Sequence, residues 1–229
     1  MDPVLQRGDA TRFVVVRHGE THWNLEARIQ GHGDSALTEK GLAQADAIAR
    51  RLAGESFDVL VASDLGRAMQ TAERIGAAVN REVLPDARFR ERNFGCCEGL
   101  TYTELHERYP DTFGRHLQDT NPDFRVPDAE TRREFYARIA GAFEALAIER
   151  AGQSVLVVCH GGVLASLHRH IHGVPAATLT TVDIPNAGYN RVTRDPSGWT
   201  IEAWADAAHL DDIGGESVPS RGSILARMS

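Results

Sequence analysis

Two stretches of this chain read alike: Val14-Val15-Val16-Arg17-His18-Gly19 and Leu156-Val157-Val158-Cys159-His160-Gly161. Each is a short continuous apolar run, the pattern of a strand buried on both faces, closed by His-Gly. Val59-Leu60-Val61-Ala62 is a third such run, and helical periods stand between the runs. Thr38 opens one helix, with Leu42, Ala45, Ile48/Ala49 and Leu52 at helical spacing; Ser63 is expected to cap a second, through Ala68, Ala72, Ile75 and Val79. Glu82-Val83-Leu84 reads as a brief edge strand ended by Pro85. Strands alternating with helices imply a three-layer α/β/α sandwich with a mostly parallel central sheet. In such sheets ligands bind beyond the carboxyl ends of the strands, where His18 and His160 stand.

Further along, Thr101-Tyr102-Thr103-Glu104 and Thr131-Arg132-Arg133-Glu134 both carry the capping-box pattern. The first opens a short helix closed by Pro110, and the second a long one through Phe135, Ile139, Ala142/Phe143 and Leu146. Residues 111–128 hold Gly114, Pro122, Pro127 and several charges, so the segment from about 100 to 135 reads as an inserted lid. Its arginines, Arg115, Arg125, Arg132 and Arg133, are expected to meet a second anionic group on a substrate. The turn Asp195-Pro196-Ser197-Gly198 joins two last strands, and the tail from about 206 to 229 is expected to be loosely held. Residues 1–229 together read as one domain.

The composition is 42% hydrophobic and 25% charged, as in ordinary globular proteins, with a net charge of −7. That balance argues against a nucleic-acid or membrane partner. Lys40 is the only lysine. The P-loop pattern is therefore absent, Lys40 is the sole candidate for a Schiff base, and any phosphate site must be built from arginine, histidine and backbone N–H groups. Cys96, Cys97 and Cys159 form no CxxC, which suggests neither a disulfide framework nor a cysteine zinc site and fits a reducing compartment. Met1-Asp2-Pro3-Val4-Leu5-Gln6-Arg7 has no apolar signal core, and no aliphatic run approaches the ~20 residues of a membrane span, so the cytoplasm is the expected location.

A strand-end histidine can simply cap backbone groups, but two of them, each followed by glycine, invite a chemical reading. A neutral imidazole is nucleophilic near neutral pH, and guanidinium groups match phosphate oxygens with paired donors. Arg17 adds such a cation beside His18, and Gly161-Gly162 opens a helix whose free N–H groups suit an anion. Phosphoryl transfer through a histidine uses such a set, with one carboxylic acid to protonate the leaving oxygen. Metal is unnecessary where arginines carry the charge.

The residues that carry this chemistry also carry a resemblance. Arg17-His18-Gly19-Glu20-Thr21 with Trp23-Asn24 resembles the signature of the histidine phosphatase superfamily, in its phosphoglycerate mutase-like branch. The resemblance continues through Arg28-Ile29-Gln30-Gly31, Leu37-Thr38-Glu39-Lys40-Gly41, Ser63-Asp64-Leu65-Gly66-Arg67-Ala68, Arg90-Glu91-Arg92-Asn93-Phe94-Gly95 with Glu98-Gly99, and Val158-Cys159-His160-Gly161-Gly162. It implies His18 as the phosphorylated nucleophile, Arg17, Arg67 and His160 as holders of the phosphoryl oxygens, and Glu91 as proton donor and later base. Thr21, Asn24, Gln30, Gly31 and Gly161 would complete the pocket. It implies a phosphomonoesterase acting on a small phosphorylated metabolite, or alternatively a mutase, with no cofactor and no metal. A homodimer is compatible with it.

Plainer readings stand beside these: Arg67 as an exposed helix arginine, Gln30 as a loop residue, and Glu98 as a rival acid. Asn186 is a further pocket candidate. The second histidine precedes Gly161-Gly162 where the acid-phosphatase and phytase branch has Asp. Met69 stands where some relatives carry a second arginine, and Pro127-Asp128-Ala129-Glu130-Thr131 replaces a common Gly-Gly-Glu-Ser. Of His168, His170 and His172, only the first and last share a helix face, which favours a solvated helix end over a metal site. Cys96-Cys97 reads as loop sequence, with a redox switch as the alternative. From other classes, a phospholigand sensor would need a broken catalytic set, and a metallohydrolase would lose activity in chelator.

Overall fold

In the computed structural model, which describes residues 10–111, 121–178 and 182–213, the apolar runs pair into one six-stranded sheet. Its strands are β1 (Thr11–Arg17), β2 (Val59–Ala62), β3 (Val83–Pro85), β4 (Ser154–Cys159), β5 (Tyr189–Asp195) and β6 (Gly198–Asp206), in the order β3-β2-β4-β1-β5-β6. The first four in that order are parallel; β5 runs antiparallel to β1, and β6 to β5. The helices are α1 (His22–Leu25), α2 (Glu39–Leu52), α3 (Gly66–Val79), α4 (Tyr102–Arg108), α5 (Arg132–Glu149) and α6 (Gly161–Ile171).

The strand period of two divides the core into two layers. Phe13, Val15, Val61, Val155 and Val157 pack with Phe143, Leu146, Val163 and Leu167 of α5 and α6. Val14, Val16, Leu60, Leu156 and Val158 pack with Ile48, Leu52, Ala68 and Ile75 of α2 and α3. Consecutive residues of each run thus serve opposite layers, which is why the runs are apolar without alternation. A third cluster packs Leu100, Leu105, Val126 and Ala129 of the lid segment onto Ile29 and Cys97. None of the described helices is long and apolar enough to cross a membrane.

Both capping boxes form: Thr101 closes on Glu104, and Thr131 on Glu134. Ser63 does not cap α3. Leu65 stands at that N-cap without a side-chain bond, and Asp34 Oδ1 accepts the Arg67 N–H from across a loop (3.3 Å). The helix begins only at Gly66, and Ser63 instead continues from β2, its N–H donating to the Val158 carbonyl (2.9 Å). The tail is also firmer than expected as far as residue 213. Arg51 pairs with Asp206 (2.5 Å), and a ring N–H of His209 donates to the Ala187 carbonyl (3.0 Å) beside the turn Ala208–Ile213. Arg115 and the tail beyond residue 213 lie outside the described residues.

Candidate active site

The register of β1 on β4 sets Arg17 opposite Cys159, so both strands release their histidines at the same edge. The His18 N–H donates to the Cys159 carbonyl (2.9 Å), and the two imidazole centroids lie 5.2 Å apart. Ser63 leaves β2 at that edge too, and its Oγ shares a hydrogen bond with His160 Nε2 (2.8 Å). His18 Nδ1 lies 2.7 Å from the Gly19 carbonyl, which can only accept, so Nδ1 carries the proton and Nε2 the lone pair. Burial, with Arg67 and Arg17 adding to it, holds His18 well below the usual imidazole range; burial and Arg67 do the same for His160.

Both rings therefore stay neutral at pH 7, and folding stability becomes pH-dependent. Below the ordinary imidazole pKa of about 6.5 the unfolded chain takes up protons that the folded sites refuse, so stability falls as pH falls. Each ring contributes at most about 1.4 kcal/mol per pH unit in that window. Urea titrations from about pH 7.5 to 5.5 should show His160→Gln losing less stability on acidification than wild type. Equal losses would mean that His160 is protonated in the fold.

Arg67, on the first turn of α3, is only 1% exposed. Its Nη1 donates to the Gly33 carbonyl (2.9 Å) and its Nη2 to that of Gly31 (2.7 Å). The exposed-helix alternative is thereby removed. Arg17 Nη1 donates to the Ile184 carbonyl (2.6 Å). Arg17 Nε, Arg67 Nε, His160 Nδ1 and Gln30 Oε1 are buried and find no hydrogen-bond partner among the described residues. Burial pulls both guanidiniums below their usual range, and the Glu91 carboxylate is the foremost opposing influence on each. Buried cations with unmet donors around a neutral histidine make a site for a multiply charged anion.

Glu91 enters this cluster through backbone contacts. Its Oε2 accepts the Gly162 N–H at the start of α6 (2.9 Å), and its Oε1 accepts that of Arg92 (2.9 Å). The neighbouring arginines are engaged elsewhere, Arg90 with Asp64 (2.6 Å) and Arg88 with Asp86 (2.7 Å) and Glu149 (3.0 Å). Glu98, the rival carboxylate, clasps the backbone N–H groups of His32, Gly33 and Phe94 at 2.8–2.9 Å and so closes a loop. A Cβ on Gly162 would lie 2.1 Å from Glu91 Oε1. Gly162→Ala should therefore fold normally, since alanine favours a helix, yet displace the carboxyl and slow turnover roughly ten- to hundredfold. Wild-type kinetics in that variant would show that the resting place of Glu91 is dispensable.

A family model described as the histidine phosphatase superfamily (branch 1) matches residues 13–207. The chain belongs to that family. It is 38% identical over 202 residues to the probable phosphoglycerate mutase GpmB of Cronobacter sakazakii, covering 86% of this chain and 94% of that one. Among solved structures, Bacillus stearothermophilus YhfR superimposes with a TM-score of 0.82 at 29% identity, covering 88% of this chain and 100% of that one. The mycobacterial glucosyl-3-phosphoglycerate phosphatase Rv2419c follows at 0.73 and 28%, covering 86% and 100%.

Within this member of the histidine phosphatase superfamily, some of the expected pocket residues stand one step back. Thr21 caps α1: its hydroxyl donates to Asn24 Oδ1 (3.1 Å) and accepts the Asn24 N–H (3.2 Å). Asn24 Oδ1 is thus engaged by the turn, and its Nδ2 is what it can offer a ligand. Gly31 adopts a left-handed φ of 57°, where a Cβ would strike Glu98, and presents its carbonyl to Arg67. Gly161 lies against Arg17, whose Nε is 3.5 Å from where a Cβ would stand. Asn186 Nδ2 donates to the His18 carbonyl (3.0 Å).

The expectation for the lid arginines changes as well. Arg133 forks onto Asp123 (2.6 and 2.9 Å), and Arg125 binds Glu134 and the Ala129 carbonyl. Sequence could not show that acidic neighbours nine and ten residues away would pair with them. His168 and His172 pack at 4.4 Å beside Trp204, and His170 pairs with Glu144 (2.8 Å). Sequence reading also passed over His32, whose ring N–H at Nε2 donates to the Glu91 carbonyl (2.9 Å), and the role of Ser63. The signal for Ser63 was available: it follows a buried strand, as His18 and His160 do.

Proposed function

We propose that this chain is a metal-independent phosphomonoesterase that acts on a small phosphorylated metabolite through a phosphohistidine at His18 Nε2. The observation that carries this reading is the His18 ring, fixed by Gly19 with its lone pair on Nε2, beside the unmet Nε donors of Arg17 and Arg67 and the unpaired Nδ1 of His160. In the first step Nε2 attacks phosphorus, the bond from phosphorus to the ester oxygen breaks, and Glu91 gives its proton to the departing alkoxide. In the second, a water oxygen attacks phosphorus while Glu91 takes its proton, and the phosphorus–nitrogen bond returns its electron pair to His18. Arg17, Arg67 and His160 stabilise the charge on the phosphoryl oxygens throughout.

A mutase reading, in which the phosphoryl group returns to the substrate and not to water, draws support from the similarity to the probable mutase GpmB. The two part in one experiment. A panel of phosphorylated metabolites, including 3-phosphoglycerate with and without the 2,3-bisphosphate, is scored separately for phosphate release and for isomerisation. Release without isomerisation supports the hydrolase, and primer-dependent isomerisation the mutase. Activity abolished by chelator would overturn the metal-independent reading.

A further inference from the structure

The segment that carries Glu91 has no regular structure between the turn Ala87–Phe89 and the turn Gly95–Cys97. It is held from outside. Arg138, on the second turn of α5, points Nη1 at the carbonyls of Arg88 (2.8 Å) and Arg90 (3.0 Å) and Nη2 at that of Glu91 (3.2 Å). The other edge of the same guanidinium forks onto Glu130, with Nε to Oε1 at 2.8 Å and Nη2 to Oε2 at 2.7 Å. Glu130 in turn reaches past Glu91: its Oε2 accepts the Asn93 N–H (3.0 Å), and its own carbonyl accepts Arg92 Nε (2.9 Å). Burial opposes the Glu130 carboxylate, but Arg138 and the Asn93 N–H outweigh it and hold its carboxyl below the usual range.

We propose that Arg138, locked by Glu130, is a positioning residue for the proton donor, pinning the main chain on both sides of Glu91 so that its carboxyl meets the leaving oxygen. The proposal rests on the reading of Glu91 as that donor. The geometry favours arginine specifically. Its planar fork serves three carbonyls and one carboxylate at once, and a lysine ammonium cannot span them. His32 adds a second grip on the Glu91 carbonyl from the opposite loop. Neither Arg138 nor Glu130 needs to touch substrate for this. A proton donor displaced by about an ångström loses much of its effect, and the loss appears only where the leaving group needs the proton.

The test compares single-turnover phosphorylation of the full chain by 3-phosphoglycerate, an alkyl phosphate, and by p-nitrophenyl phosphate, whose phenolate departs unaided. Arg138→Gln should slow the first roughly ten- to hundredfold and the second less than about threefold. Glu130→Gln, which keeps the shape but weakens the lock, should show the same selectivity to a smaller degree. Arg138→Lys retains the charge beside Glu130 and decides the matter should the glutamine variant not fold; it should still favour p-nitrophenyl phosphate. Equal slowing of both substrates, or no slowing of either, would reduce Arg138 to a purely structural role and overturn the proposal. Glu91→Gln is run alongside. If it lacks leaving-group selectivity, the assignment of the acid has failed and takes the proposal with it; if it has selectivity and the Arg138 variants do not, the proposal alone has failed. A wild type inert towards both probes overturns the functional reading itself.

Discussion

His18→Ala is expected to abolish turnover, lowering kcat by roughly 10⁴-fold or more while the protein still folds. His160 cannot substitute, because its Nε2 is engaged with Ser63 and its resemblance-implied task is to hold the phosphoryl oxygens. Among the described residues the imidazole of His18 makes one side-chain hydrogen bond, to Gly19, so its removal costs about 1–3 kcal/mol. Losing the ring also ends the protonation penalty of a buried histidine in acid. The variant should therefore lose less stability than wild type as pH drops below about 6.5. Steady-state kinetics and circular dichroism check the two halves. Residual activity within about a hundredfold of wild type would place the nucleophile elsewhere.

The second large effect separates the two carboxylates. Glu91→Gln preserves the size of the side chain and an oxygen to accept the Gly162 or Arg92 N–H, but carries no acidic proton. Phosphorylation of His18 by an alkyl phosphate should fall roughly 10²- to 10⁴-fold, and that by p-nitrophenyl phosphate by less than about tenfold. Single-turnover kinetics are needed, because the same carboxyl also serves the attack of water. Glu98→Gln should instead loosen the loop around residues 31–33 and 94, with a modest loss on both substrates alike. The reverse pattern, selectivity in Glu98→Gln and none in Glu91→Gln, would assign the acid to Glu98.

The two strand-end histidines were legible because the signal is local. A buried strand needs an unbroken apolar run, and Val14–Val16 and Leu156–Val158 supply it. That β1 and β4 are neighbours in register, with Arg17 opposite Cys159, is a long-range fact that no local pattern encodes. The same limit hid the partner of Ser63, though its place after a buried strand was visible. A serine shortly ahead of an apolar helical period is a plausible cap locally, and only the place of β2 beside β4 brings Ser63 to His160. Glu91 and Glu98 lie within one loop and share its composition. What separates them is the approach of Gly162 to one and of His32 and Gly33 to the other. For Arg125 and Arg133 the sequence shows the charges but not their pairing: Glu134 and Asp123 lie within reach of them on the folded lid.

The central claim is that a phosphoryl group passes through one nitrogen of one histidine. Rapid quenching of the wild-type chain with a phosphomonoester it turns over, followed by peptide mapping in base and phosphorus NMR of the labelled peptide, addresses it directly. The account predicts an acid-labile, base-stable phosphate on the peptide that contains His18, attached at Nε2, because Nδ1 is held by the Gly19 carbonyl. A phosphate on any other residue, or on Nδ1 of His18, would contradict it.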